Sequence, residues 1–532
     1  MILIYAVLLA LCFMIVLVMN ELHTPTRHKD ESKTEQPLET EEAKTATSSE
    51  AVKETDEGTE KDTEKDEDRA KETDQIQGES HEWTDSKQYT KGKTTYYHGK
   101  EWQEEIPEEP YRPPVVVVAS DTHYFSPDLT DYGEAFQTMV ERDDGKVVSY
   151  QPQLMDAFIQ EMTKLKPSAV VLSGDLTLNG EKAGHEALAE KLHSLEQQGV
   201  DVVVIPGNHD INNNHAASYF GKEKTSAEKI DENEFYDIYK DFGYDEARSK
   251  DPYSLSYIYE LDEKNWLMML DTAQYQPVNL VGGRIKDETI VWMDEQLKEA
   301  EKSGISVLPI GHHNLLKQSI LYPEDCTLEN YKTAVQLLES YRIPLYISGH
   351  LHLQRTKTYK PEPGASEKEF HISEVVADSF TIPPCQYGIV QWKDKGGYTY
   401  STKEADVEAW ALEQGVEDEN LLNFKEYGSA FLAETISNQI YDKMSSLQDD
   451  QMKAMADLYG ELNRAYCGGT AINRKEVMSS EAYGLWERFL PDSKMFEEID
   501  QILRDTGNDH NIWDYSAADP LQDISQHDIM VK

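Results

Sequence analysis

PPVVVVASDTH, residues 113–123, ends a long polar stretch and opens the folded part of the chain. Four consecutive valines and an alanine make a short, wholly apolar run, which suits a strand buried on both faces better than an alternating, half-exposed one. After Ser120 come Asp121, Thr122 and His123, polar residues at what would be the strand's carboxyl end.

The same texture recurs toward the C-terminus in AVVLSG (169–174), VDVVVIPG (200–207), WLMMLDT (266–272), ISVLPIG (305–311) and PLYISG (344–349). Between many of these runs lie amphipathic stretches such as PQLMDAFIQEMTKL (152–165) and EKAGHEALAEKLHSLEQQ (181–198), which fit helices. The alternation predicts a layered α/β domain over residues 114–400. Five of the runs end in polar clusters: Asp121-Thr122-His123, Gly174-Asp175, Gly207-Asn208-His209-Asp210, Gly311-His312-His313 and Gly349-His350-Leu351-His352. Ligand sites in open α/β sheets gather at the carboxyl ends of strands, so these groups are expected to converge. A single cluster of this kind reads as a turn or a helix cap; five in the order D-x-H, G-D, G-N-H-D, H and G-H-x-H read as a site.

This ordered set closely resembles the calcineurin-like metallophosphoesterase superfamily, over roughly Val115 to Trp392. The resemblance implies a layered β-sandwich flanked by helices and a phosphoesterase working with two metal ions. It implies that Asp121, His123 and His352 hold one ion, that Asn208, His312 and His350 hold the other, and that Asp175 bridges them through two free oxygens. A water or hydroxide shared by the ions would be the nucleophile. His209 would contact the phosphate and protonate the leaving alkoxide. Mixed carboxylate, imidazole and carboxamide ligands suit Mn, Fe or Zn better than Ca or Mg. Around this set, Asp210 is read either as orienting the His209 ring or as a helix N-cap. His313 competes with His312, the family pattern favouring His312, and His185 reads as a surface or packing histidine.

The stretch GDLTLNGEKAGHEAL (174–188) followed by VIPGNHDI (204–211) is similar to bacterial class III cyclic nucleotide phosphodiesterases, particularly a subgroup with an added helical C-terminal domain. No Tyr follows Asp175 closely, as in purple acid phosphatases, and no Arg follows it, as in protein Ser/Thr phosphatases. The resemblance implies a small phosphodiester substrate, a 3′,5′-cyclic nucleotide, with phospholipid headgroups or wall polymers as the alternative. A metal-stabilised scaffold is the rival of another class; its mark would be loss of the bridging Asp, the Asn-His pair or the last histidines, and none is lost.

From about Lys403 the pattern turns helical, in EADVEAWALEQ (404–414), NFKEYGSAFLAETISNQIYDKM (423–444), DQMKAMADLYGELNRAYC (450–467) and SSEAYGLWERFL (479–490). Apolar residues recur there at three- and four-residue spacing, so residues 401–532 are predicted to be an all-α bundle, able to overhang the cleft, with a loosely ordered polar end from about Gly507.

Residues 1–19, MILIYAVLLALCFMIVLVM, carry no charged side chain and are long enough to cross a hydrocarbon core of about 30 Å. They are expected to be an uncleaved single-pass anchor. A cleaved signal, which would leave the protein secreted, normally shows a basic start and small residues at the cleavage site, and both are missing here. Arg27 and Lys29 favour a cytoplasmic C-terminal side, yet an exported catalytic domain is the expectation. Residues 20–113, with stretches such as EEAKTATSSEAVKETDEGTEKD (41–62), bury too little apolar surface to offset chain entropy and read as a disordered acidic spacer. A chain of 532 residues has material for two folded units. Its formal net charge of −49 argues against nucleic-acid binding, which needs clustered Lys and Arg. Its four cysteines are too dispersed for a disulfide framework or a CxxC zinc site.

Overall fold

The valine-rich runs do form buried strands, and they divide between two sheets whose inner faces share one core. The computed structural model describes residues 111–517 apart from 320, 322–324, 362–369, 395, 442–443 and 445–446, together with a short ladder of Tyr96–Tyr97 against Lys100–Glu101. The expected anchor and, apart from that ladder, the expected spacer up to residue 110 lie outside the described residues. Among the described residues no helix is long and apolar enough to cross a membrane.

The first sheet is built from β1 (Val115–Ala119), β2 (Ala169–Ser173) and β3 (Val202–Ile205), which run parallel. The second holds β4 (Ser249–Lys250), β5 (Tyr257–Asp262), β6 (Asn265–Leu270), β7 (Ser306–Gly311), β8 (Leu345–Ser348), β9 (Arg355–Thr358) and β10 (Ser373–Val376). Its order is β9-β10-β8-β7-β6-β5-β4, with β6, β7, β8 and β10 parallel and the outer strands antiparallel. The chain then returns to the first sheet through β11 (Gln386–Trp392) and β12 (Gly397–Glu404), and ends on it with β13 (Ile512–Ser516), giving the order β13-β12-β11-β1-β2-β3. Val117 and Val171 of the first sheet and Leu267, Leu308, Ile347 and Val375 of the second are fully buried in one cluster. This is the layered sandwich expected from the sequence.

Helices cover the outer faces. The predicted helices appear as α1 (Gln151–Leu165) and α2 (Lys182–Glu196), whose Leu154, Phe158, Leu188 and Leu192 pack into the core beside β1 to β3. On the far face of the second sheet, α3 (Asp287–Ser303) and α4 (Tyr331–Ser340) bury Met293, Leu297 and Leu338 against Trp266 and Met268.

The helical C-terminal region begins at Val407, because β12 continues to Glu404, four residues beyond the expected end of the α/β domain at residue 400. Its main helices are α5 (Phe424–Tyr441), α6 (Asp449–Cys467), α7 (Glu481–Phe489) and α8 (Lys494–Asp505). Ile436, Met455, Tyr459, Trp486, Ile499 and Ile502 form its core, and Leu351, Leu353 and Val376 of the sandwich belong to that same core. The two regions therefore pack as one unit from Arg112 onward. Of the end expected to be loose, Ile512–Ser516 is a strand, because its alternation lets Trp513 bury against the sheet while Ile512 and Asp514 face out, and residues 518–532 lie outside the described residues.

His185 is a packing histidine, fully buried on α2. Its Nε2 lies 3.1 Å from the Asp210 carbonyl, which can only accept, so the proton sits there and Nδ1 accepts from the Tyr239 hydroxyl at 2.9 Å. Burial pushes its pKa down to about 3. The unfolded chain takes up this proton below about pH 6.5 and the folded one only near pH 3, so the stabilising contribution is lost as pH falls through that window. At pH 4 the loss is about 3 kcal/mol. Urea midpoints at pH 7 and pH 4 should therefore fall less for His185→Gln than for the unaltered protein, and equal falls would refute this account.

Candidate metal centre

Each cluster sits where its strand stops, and the backbone there turns sharply. Asp121, His123, Asp175, His350 and His352 all have positive φ, between 41° and 66°. Non-glycine residues adopt this left-handed conformation at a cost, so five among eight candidate residues mark loops held by their surroundings. The amides of Asp121 and His123 donate to the carbonyls of Gly174 and Asp175, which stitches the tips of β1 and β2 together. Two glycines permit the close approach: a Cβ on Gly207 would lie 2.2 Å from Asp175 Oδ1, and one on Gly349 would lie 2.4 Å from Asp121 Oδ2.

The structure brings all eight predicted residues together. Asp121, His123, Asp175 and His352 offer ligand atoms that lie within 4.8 Å of one another. The hydrogen bonds decide which atoms face inward. Asp121 Oδ2 accepts from the His350 amide at 2.9 Å, which leaves Oδ1 without a hydrogen bond, 3.2 Å from His352 Nε2. His123 Nε2 is 3.0 Å from His352 Nε2 and 4.0 Å from Asp175 Oδ2. In the second group, His312 donates from Nδ1 to the Ser173 carbonyl at 2.9 Å, and its Nε2 faces Asn208 Oδ1 and Asp175 Oδ2, both at 3.2 Å. His350 Nδ1 is buried and makes no hydrogen bond.

Asp175 belongs to both groups, but differently from the expectation of two free oxygens. Its Oδ1 accepts from the His209 amide at 2.7 Å, so only Oδ2, which makes no hydrogen bond, is left to face both sets of imidazoles. His313 stands with His312 and His350 in a group whose ligand atoms lie within 4.8 Å of one another, yet both its nitrogens have other partners. Its Nε2 donates to the Val281 carbonyl at 2.9 Å and its Nδ1 accepts from the Thr272 hydroxyl at 2.8 Å, so neither nitrogen offers a lone pair to the cluster. Asp210 neither orients His209 nor caps a helix. Its carboxylate accepts from the amides of Leu176, Thr177 and Gly207, tying the loop after β2 to the loop after β3. The His209 ring is set instead by the Leu178 carbonyl, 2.7 Å from Nδ1, which leaves Nε2 toward Asp175 Oδ2 at 3.9 Å. His209 is also the most exposed member of the set.

The electrostatics favour a cation. Burial opposes protonation of His312, yet the carboxylates of Asp175 and Asp121 overcome it and raise its pKa to about 9. Against the same burial, His352 is raised to about 10 by Asp121 and Asp144. His123 and His350, with less carboxylate help, are pushed well below the ordinary imidazole range by burial. Buried carboxylate oxygens without hydrogen bonds, facing imidazole nitrogens on two sides, fit divalent metal ions.

A supporting layer escaped the sequence reading. Glu374 on β10, fully buried, accepts from the amides of Leu315 and Leu316 and from the Ser348 hydroxyl, fixing the chain just past His312 and His313. Asp144 reaches His352 from a loop that no strand pattern marks.

Residues 114–354 match the family model described as calcineurin-like phosphoesterase. This chain carries a calcineurin-like phosphoesterase domain. All eight candidate residues, from Asp121 to His352, lie within the matched stretch, and the family supports the hydrolase class. Residues 406–509 match a second model, described as the C-terminal domain of cyclic nucleotide phosphodiesterase. A curated relative from Xenorhabdus bovienii, named "Probable cyclic nucleotide phosphodiesterase", is 22% identical over 197 residues, which are 37% of this chain and 65% of that protein. Among solved structures, a dimetal phosphatase from Danio rerio aligns with 55% of this chain and 96% of its own at 12% identity and a TM-score of 0.38. A Thermus thermophilus protein, TT1561, aligns with 55% and 99% at 9% identity and a TM-score of 0.32.

Proposed function

We propose that the chain hydrolyses phosphodiesters, with 3′,5′-cyclic nucleotides as the substrate class, using two divalent ions of the Mn, Fe or Zn kind. One observation carries the two-ion reading: Asp175 Oδ2 makes no hydrogen bond and lies 4.0 Å from His123 Nε2 on one side and 3.2 Å from His312 Nε2 on the other. Asp121, His123 and His352 would hold one ion, Asn208, His312 and His350 the other, and Asp175 both. Two such ions supply Lewis acidity and an activated water when bound. The protein's own part is to hold the ligand atoms, keep His209 at the exposed edge for the leaving group, and exclude bulk water with buried walls. The cyclic-nucleotide assignment is supported by the match of residues 406–509 and by the name of the relative.

The test is hydrolysis by the Mn²⁺-loaded full chain of 3′,5′-cyclic AMP against bis-p-nitrophenyl phosphate. Metal-dependent turnover of the cyclic nucleotide is expected. Turnover of the generic diester alone would overturn the substrate class and keep the reaction. The uncharged run over residues 1–19 favours a second reading, in which it anchors an exported domain that acts on phospholipid headgroups or wall polymers. Protease accessibility of the domain in intact cells separates the two.

A further inference from the structure

A buried carboxylate meets the histidine cluster from outside the five strand tips. Asp144 lies in the loop before α1 and is 4% exposed. Its Oδ2 is 3.2 Å from His352 Nδ1, and its Oδ1 takes the ammonium of Lys146, itself buried. A carboxylate only accepts, so the proton of the neutral His352 ring sits on Nδ1, and the Nε2 lone pair points to Asp121 Oδ1 and His123 Nε2. Lys146 faces both Asp144 and, at 3.5 Å, Asp143, so its one charge offsets part of the carboxylate charge, and what Asp144 gives His352 directly is the hydrogen bond.

The loop is held from two sides. The Val147 amide donates to the Thr381 carbonyl at 2.9 Å, and the Asp143 carbonyl accepts from Gln439 on α5 at 3.3 Å. Gly145, at φ +97°, leaves the space that Leu432 of α5 fills: a Cβ there would lie 2.2 Å from Leu432 Cδ1. The chain neighbours of His352, Leu351 and Leu353, are buried in the helical core, and the Gln354 amide donates to the Cys467 carbonyl at the end of α6. The C-terminal helices thus brace both the backbone of His352 and the loop that carries its hydrogen-bond partner.

We infer that Asp144 is a positioning residue that fixes the tautomer and ring orientation of His352 for one of the two ions, with Lys146 as its counter-charge and α5 as the support of its loop. The inference rests on the two-ion reading above. Metal-ligating histidines are usually held this way through their other nitrogen, and loss of such a partner weakens metal affinity about 10- to 100-fold.

Titrating the metal-free full chain with Mn²⁺ and following free Mn²⁺ by electron paramagnetic resonance tests it without reference to activity. The unaltered protein is expected to take up two ions. Asp144→Ala should weaken one of them about 10- to 100-fold and leave the other in place, while Asp143→Asn, next to Lys146 but not touching His352, should bind as the unaltered protein does. Removing Asp144 alone takes from the buried Lys146 ammonium its nearer carboxylate and leaves it Asp143 Oδ1 at 3.5 Å, so the double variant Asp144→Ala/Lys146→Met, which removes the closer charge pair together, decides the matter if the single variant does not fold. Two ions bound with unaltered affinity by both variants would overturn the role of Asp144 and leave the two-ion reading standing. Fewer than two ions in the unaltered protein would overturn that reading and the inference with it.

Discussion

Asp175→Ala is expected to bring metal-dependent phosphodiester hydrolysis to background, a loss of at least about 10³-fold, since bound metal supplies several kcal/mol of transition-state stabilisation and each 1.4 kcal/mol is a factor of ten. The size follows from position. Asp175 Oδ2 faces His123 on one side and His312 on the other, so this one side chain serves both groups. Its Oδ1 also receives the His209 amide, so the substitution releases the backbone that carries Asn208 and His209. Metal content and activity should therefore fall together, with both ions weakened in the Mn²⁺ titration. Asp175→Asn is the sharper comparison: it preserves the shape and an acceptor for the His209 amide while removing the negative charge. A loss with Asn close to that with Ala would place the effect on the charge between the ions, and full activity of either variant would sink the two-ion account.

What the sequence disclosed was local, and the local part was most of the site. A run such as Val115–Val118 announces a strand buried on both faces because every residue in it is apolar. The polar residue after such a run must then lie at a tip, so Asp121, Asp175, Asn208, His312 and His350 could be placed before any partner was known. The choice of His312 over His313 followed the family pattern; the Thr272 and Val281 contacts of His313, which no local pattern marks, argue in the same direction. Contacts set by the meeting of distant segments stayed hidden. Asp144 stands in Asp143-Asp144-Gly145, which reads as a turn, and only its approach to a histidine 208 positions away gives it another part. Asp210 looked like a cap because Asp often is one, yet the amides it satisfies belong to two separate loops. Strand β13 was missed for a similar reason: five residues with one buried tryptophan look like a polar tail until the edge of β12 is there to pair with them.

His209→Ala is expected to separate chemistry from metal binding. The ring stands outside both ligand groups, oriented by the Leu178 carbonyl on Nδ1, with Nε2 toward the cluster. Its removal should leave both Mn²⁺ ions in place while lowering kcat about 10²- to 10⁴-fold, the range of a positioned general acid. The loss should depend on the leaving group. An alkoxide such as the ribose 3′-oxygen needs a proton as its bond to phosphorus breaks, whereas p-nitrophenolate departs as a stable anion. Cyclic AMP hydrolysis should therefore suffer much more than hydrolysis of bis-p-nitrophenyl phosphate. An equal loss on both substrates, accompanied by a raised KM, would assign His209 to holding the phosphate instead of to proton transfer, because removal of a ground-state contact does not distinguish between leaving groups.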